Sequence, residues 1–138
     1  AIALAPGSWG ANGDFSMWLN PGTRWTWERL WKLERRFWDT APRALADPAC
    51  HSVLTQAARE LLLLQSSDWQ FILSTGAAAD YAARRFQDHA ADLEVLVSAL
   101  EPAGRGRLSA AAEHAEQVRQ RDDLFPGILP VLATILGR

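Results

Sequence analysis

The sequence predicts an all-α fold: a bundle of about four helices with an irregular Gly/Trp-rich N-terminal loop and a Pro-containing C-terminal strap. Three observations carry this. Apolar residues recur at three- and four-residue intervals over long segments, which is the helical period. No stretch alternates apolar and polar residues long enough to argue a strand. Proline, glycine and small polar residues fall where helices would begin and end. With 138 residues, 49% hydrophobic and 22% charged, residues 1–138 are expected to form a single domain around one core.

The first twenty residues lack any regular rhythm. "GSWGANGDFSMWLNP" (Gly7 to Pro21) carries three glycines and two tryptophans. A loop has no core-facing stripe of its own, and glycines let the backbone turn tightly. Trp9 and Trp18 are therefore either presented to a ligand or latched against the helices.

"NPGTRWTWERLWKLERRFWDT" follows, with Asn20 and Pro21, or Thr23, as helix-start chemistry. Trp27, Leu30, Trp31, Glu34, Phe37 and Trp38 recur at helical spacing, which puts most of their rings on one side, while Arg29, Lys32, Arg35 and Arg36 mostly fill the other. Packing accounts for Trp25, Trp27, Trp31 and Trp38. "TAPRALADPAC" reads as a proline-rich break, with Asp47 as cap and Pro48 as first residue of the next helix.

From Ala49 to about Ser74 the segment that includes "LLLLQSSDWQFIL" is apolar nearly all round, the mark of a central rod enclosed by other helices. Asp68 on such a rod lies between Leu64 and Ile72. An unpaired charge buried there would cost several kcal/mol, so Asp68 needs a hydrogen-bonding helix end or a polar cavity. Trp69 beside it is either core or, with the acid, the pair that a sugar site uses: an indole for the ring face and a carboxylate for its hydroxyls.

Gly76 is the expected terminator of the rod. A further helix carries Tyr81, Phe86, Leu93, Leu96, Val97 and Leu100 on its apolar stripe, with His89 among them as a hydrogen-bonded core residue. "EPAGRGRLS" is a linker in which Ser109 can cap an alanine-rich helix to about Arg121. The tail, with Pro126 and Pro130, reads as an apolar strap with a short helical stretch.

Several function classes are disfavoured. A net charge of −2, with 14 basic residues among 16 acids, offers no basic field for nucleic acid. The single Cys50 forms no intrachain disulfide, and Cys50, His51 and His114 make no zinc set. No motif calls for a metal or other cofactor. No run reaches the ~20 apolar residues of a membrane span, and "AIALAPG" lacks the features of a signal peptide, so a cytoplasmic protein is expected. Ala1 in place of methionine suggests a fragment or a processed chain.

"GSWGANGDFSMWLNPGTRWTWERLWKLERRF" and "ARELLLLQSSDWQFILSTGAAADYAARRFQDHAADL", with the tail "RDDLFPGILP", resemble the C-terminal helical region of glycoside hydrolase family 57 enzymes, in particular the 1,4-α-glucan branching enzymes. The resemblance implies a parent enzyme with a distorted (β/α) catalytic barrel that bears a glutamate nucleophile and an aspartate general acid. These cut α-1,4-glucan and transfer it to a 6-hydroxyl by retaining double displacement. By the same resemblance this chain holds neither catalytic group and is inactive alone, and Trp9, Trp18, Asp68 and Trp69 bind the glucan substrate. Family members commonly carry an acid where Ala5, Pro6 and Gly7 stand, and a proline where this chain has Gln70. The alternatives are a stand-alone helical carbohydrate-binding or interaction module, and a plain scaffold with all seven tryptophans shielded.

Overall fold

In the computed structural model, which describes residues 7–10 and 12–137, Asn20 starts the first helix from outside it. Its side-chain oxygen accepts from the Gly22 and Thr23 amides at 2.9 and 3.2 Å, and α1 (Arg24–Leu45) follows. Residues 1–6, read above as part of the irregular opening, lie outside the described residues.

Pro42 does not end α1, contrary to the break expected across residues 40–50. It removes only the bond to the Trp38 carbonyl, and the buried Phe37, Ala41 and Ala44 hold that end of the helix on the core. The chain turns at Asp47 instead, whose carboxylate accepts from the Ala49 amide at 3.0 Å. A 3₁₀ turn (Pro48–Cys50) then feeds α2 (His51–Leu64).

α2 is the enclosed rod, but it is half the expected length. Val53, Leu54, Ala57, Leu61 and Leu64 are buried, and so are Gln56, Arg59 and Glu60. Gln65, Ser66 and Ser67 break the chain before α3 (Asp68–Thr75). Short polar side chains compete with the helix for backbone hydrogen bonds, and here that local chemistry outweighs the apolar pattern on either side. Gly76 ends α3 at φ +72°, a conformation that favours glycine.

α4 (Ala79–Leu100) packs against α1, α2 and α3. Phe86, Leu93, Leu96, Val97 and Leu100 are buried as expected, whereas Tyr81 is 50% exposed because it lies in the first turn, ahead of the core. Arg29 meets Glu94 at 3.1 Å and Arg36 meets Glu101 at 2.7 Å. The equal seven-residue steps show that α1 and α4 run parallel.

Glu101 is extended, as a residue before proline tends to be. A 3₁₀ turn (Pro102–Arg107) then runs straight into α5 (Leu108–Arg119), so Arg107, not Ser109, holds the capping position. Gly104 lies so close to α4 that a Cβ there would sit 1.7 Å from the Ser98 carbonyl oxygen. The strap contains α6 (Ile128–Ile135), whose Pro130 sits in the first turn, where an amide would have no helical partner. Among the described residues the fold is all-α with six α-helices; the split rod and α6 account for the excess over four.

Candidate functional site

The opening loop is ordered by polar pins rather than by regular structure. The Ser8 amide donates to the Gly13 carbonyl and the Gly13 amide to the Gly10 carbonyl, both at 2.9 Å. The Ser8 hydroxyl donates to the Asp14 carbonyl. The Asp14 carboxylate accepts from the Ser16 hydroxyl at 2.5 Å and the Ser16 amide at 2.9 Å, and these bonds hold its pKa below the usual 3.8. A Cβ on Gly10 would sit 2.9 Å from the Asp14 carbonyl oxygen, so the tight loop requires glycine there.

A second set of bonds fastens the loop to α1 and α3. The Trp18 indole N–H donates to the Ser67 carbonyl at 3.1 Å, and the Trp18 carbonyl accepts from the Thr23 hydroxyl and the Trp27 indole, both at 2.7 Å. Ser74 donates to the Met17 carbonyl at 2.6 Å and accepts from Asn20 Nδ2 at 2.9 Å. Gln70 is buried and its Nε2 donates to Thr26 Oγ1 at 3.0 Å, tying α3 to α1. Proline at that position could not make this bond.

The result is an open aromatic groove of about 560 Å³, lined by Trp9, Phe15, Trp18, Leu19, Trp27 and Trp31 together with Gly7, Ser8 and Ser67. Phe71 of α3 supports both loop indoles, with ring centroids 5.3 Å from Trp9 and 6.0 Å from Trp18. Trp27 and Trp31 lie 5.8 Å apart, tilted by 37°. Trp9 is 82% exposed and Trp31 51%. A wall of this kind suits a ligand with apolar faces and no net charge.

Trp9 and Trp18, two of the four residues expected at a site, thus share one groove. Asp68 is not among the lining residues; it follows Ser67, which is. The burial expected for its charge is not found: Asp68 is exposed in the first turn of α3, where a carboxylate suits the helix dipole, with the Ser66 hydroxyl at 3.3 Å. The break at residues 65–67 removed the stripe on which that burial depended. Trp69 faces the other way. It is half-buried, its N–H donates to the Leu63 carbonyl at 2.8 Å, and its ring lies 5.9 Å from that of His89.

Sequence reasoning missed Phe71, Trp27 and Trp31 as groove residues. Phe71 was hidden by the assumption of one continuous rod. Trp27 and Trp31 followed the apolar period of α1, and nothing in that period shows where the core ends along the helix. Trp25 does pack edge-on against Phe86 at 5.3 Å, whereas Trp38, like Trp31, is exposed.

A second concentration of polar groups lies inside the bundle. Glu60 accepts from Gln56 Nε2 at 2.9 Å and from His89 Nδ1 at 2.7 Å, while Arg85 donates to His89 Nε2 at 3.1 Å. An arginine only donates, so His89 is the neutral tautomer with its proton on Nδ1. Its reading as a hydrogen-bonded core histidine holds. Ligand atoms of Glu60, His89 and Asp122 lie within 4.8 Å of one another. Arg85 and Arg121 face the same cluster, with Arg121 at 2.7 Å from Asp122, and their charge opposes entry of a cation. Cys50 is buried against Arg105 at 2.9 Å, and burial pushes its thiol pKa up. Among the described residues no helix is long and apolar enough to cross a membrane.

The chain is similar to several known proteins. Residues 29–131 match the family described as 1,4-alpha-glucan branching enzyme, C-terminal. The chain is 44% identical over 100 residues to a 1,4-alpha-glucan branching enzyme of Thermococcus kodakarensis, an alignment covering 72% of this chain and 15% of that protein. It is 34% identical over 135 residues to a probable 1,4-alpha-glucan branching enzyme of Mycobacterium tuberculosis, covering 90% of this chain and 24% of that one. The crystal structure of a GH57-type branching enzyme from Pyrococcus horikoshii matches with a TM-score of 0.84 and 40% identity, over 95% of this chain and 25% of that chain. A Thermococcus kodakaraensis GH57 branching enzyme, solved in complex with glucose and additives, matches with a TM-score of 0.76 and 37% identity, over 86% of this chain and 22% of that chain. The chain spans about a quarter or less of the length of these relatives.

Proposed function

We propose, because the chain belongs to the 1,4-alpha-glucan branching enzyme C-terminal family, that its aromatic groove holds an α-glucan chain for a catalytic barrel carried elsewhere in the parent enzyme. In this reading the parent is a cytoplasmic enzyme that forms α-1,6 branches by retaining transfer, with both catalytic carboxylates on the barrel. This chain supplies binding. Trp9 and Trp18 stack on the apolar faces of glucose rings, and Asp68, which follows the lining residue Ser67, accepts from sugar hydroxyls. Trp69 acts from behind the groove: its bond to the Leu63 carbonyl and its contact with His89 set the start of α3.

The observation that supports this best is the convergence of Trp9 and Trp18 on Phe71, opposite Trp27 and Trp31, in an open groove. Aromatic surface left in contact with water is costly unless a ligand or partner covers it. A neutral polyol matches both the indole faces and the lack of charge in the groove lining. A retaining transferase must also favour a sugar acceptor over water, and an aromatic wall beside the reacting chain helps exclude water.

Calorimetric titration with maltoheptaose tests the reading. Binding is expected for the native chain and a loss of about tenfold or more in affinity, some 1.4 kcal/mol, for Trp9→Ala. Because Trp9 is 82% exposed, the melting temperature of the variant should match that of the parent chain. No binding by the native chain, or equal binding by the variant, would remove the groove from the function.

A further inference from the structure

The aromatic groove does not stop at Trp31. On the far side of the Trp27–Trp31 pair lies a second groove of about 620 Å³, lined by Leu19, Asn20, Pro21 and Arg24 together with Trp27, Glu28 and Trp31. Leu19, Trp27 and Trp31 line both grooves. The two indoles thus form a ridge between two contiguous depressions, each within the ~300–1,000 Å³ range of small-molecule sites.

The two indoles of this ridge differ in their commitments. Trp27 is locked in place by its N–H bond to the Trp18 carbonyl at 2.7 Å. Trp31 is 51% exposed, and its N–H donates to no group among the described residues. Its ring packs against that of Trp27, with centroids 5.8 Å apart and a tilt of 37°.

The second groove also has a charged edge, whereas no charged residue is among those lining the first. Arg24 Nε and Glu28 Oε1 pair at 2.9 Å on the exposed surface of α1, one turn apart. The pair is neutral as a unit, and it leaves guanidinium N–H groups and a carboxylate oxygen facing solvent. Such an edge offers donors and acceptors together without a net field. That chemistry does not select an anion or a cation; it fits hydroxyl groups, each of which donates and accepts.

Resting on the glucan reading above, we infer that Trp31 is a binding residue and that a long α-glucan chain continues from the Trp9–Trp18 groove over the Trp27–Trp31 ridge to the Arg24–Glu28 edge. Short oligosaccharides occupy the first groove alone. Longer ones gain the ridge and the second groove, so that affinity rises with chain length and Trp31 sets the size of the rise.

The test compares maltotriose and maltoheptaose by calorimetry on the full 138-residue chain, as the native protein and as Trp31→Ala, Trp31→Phe and Arg24→Ala. Circular dichroism and the melting temperature establish that each variant is folded. The native chain is expected to bind maltoheptaose about tenfold tighter than maltotriose. Arg24→Ala, which touches the second groove alone, should reduce that difference while changing maltotriose affinity less than about twofold; Trp31→Ala, at a residue that lines both grooves, should weaken both sugars and maltoheptaose the more, and Trp31→Phe should restore much of the loss. If the native chain binds neither sugar, the glucan reading itself fails. If it binds both and Trp31→Ala leaves the length dependence intact, or weakens both sugars equally, the continuation into the second groove is overturned while the first groove stands.

Discussion

Glu60 has no exposed side-chain surface and still makes a better case for structure than for chemistry, because both of its oxygens are occupied by neighbours on the same network. Removing one partner from such a network leaves the others desolvated and unpaired. Because His89 is neutral, Glu60→Leu leaves unpaired donors rather than an unpaired charge, and it should lower the unfolding free energy measured in urea by about 1–3 kcal/mol. A loss below ~1 kcal/mol would mean that the Gln56 and His89 donors find other acceptors. The acid that the sequence singled out, Asp68, behaves in the opposite way: a three-residue polar break moves it from an imagined core stripe to a solvated helix start. Which of two acids is buried was not legible, since Glu60 and Asp68 both fall in the apolar segment. The distinction depends on where the helix stops. Trp9 and Trp18 were legible only as two alternatives, a ligand platform or a latch against the helices, because a loop without periodicity has no core-facing stripe; in the structure Trp18 is fastened to Ser67 while Trp9 stays exposed. Trp31 was not legible, because helical spacing assigns a face but not its cover.

At the level of elements, the helix periods of α1, α2 and α4 were readable, and so were the stops at Asp47 and Gly76. The errors came where local and tertiary terms compete. Pro42 is overridden by burial of Phe37, Ala41 and Ala44, whereas Gln65, Ser66 and Ser67 override the apolar residues around them. The α1–α4 pairing was not legible, since ion pairs across parallel helices leave no local mark. Arg36 bonds to Glu101 at 2.7 Å and to the Ser98 hydroxyl at 2.9 Å. The Arg36 hydrogen bond holds the Glu101 carboxyl below its ordinary pKa of 4.5. A carboxyl lowered on folding stabilises the protein fully above its unfolded pKa, and that stability disappears as pH falls through the folded one. The stability difference between the native chain and Glu101→Gln should therefore be constant from about pH 7 to 5 and shrink below ~4.5. A difference that persists unchanged at pH 3 would show that the pair does not couple α1 to α4 through charge.

The whole molecule divides into an enclosed bundle and an exposed aromatic face. The core was predictable because period and composition determine it. The groove was predictable only in part, because it depends on three separate elements, the loop, α1 and α3, meeting through Trp18, Ser67, Phe71 and Gln70. Trp9, Phe15, Leu19 and Trp31 remain exposed on this one face, and the proposal places the parent enzyme's barrel and its glucan against it. The seven tryptophans make a direct measurement possible: the indole ¹H–¹⁵N signals of the labelled chain, followed by NMR as maltoheptaose is added. The signals of Trp9, Trp18 and Trp31 should shift in a saturable way while those of Trp25, Trp38 and Trp69 stay in place. Indole signals that remain fixed at millimolar sugar, or shifts confined to tryptophans outside the groove, would contradict a glucan-binding role for this face.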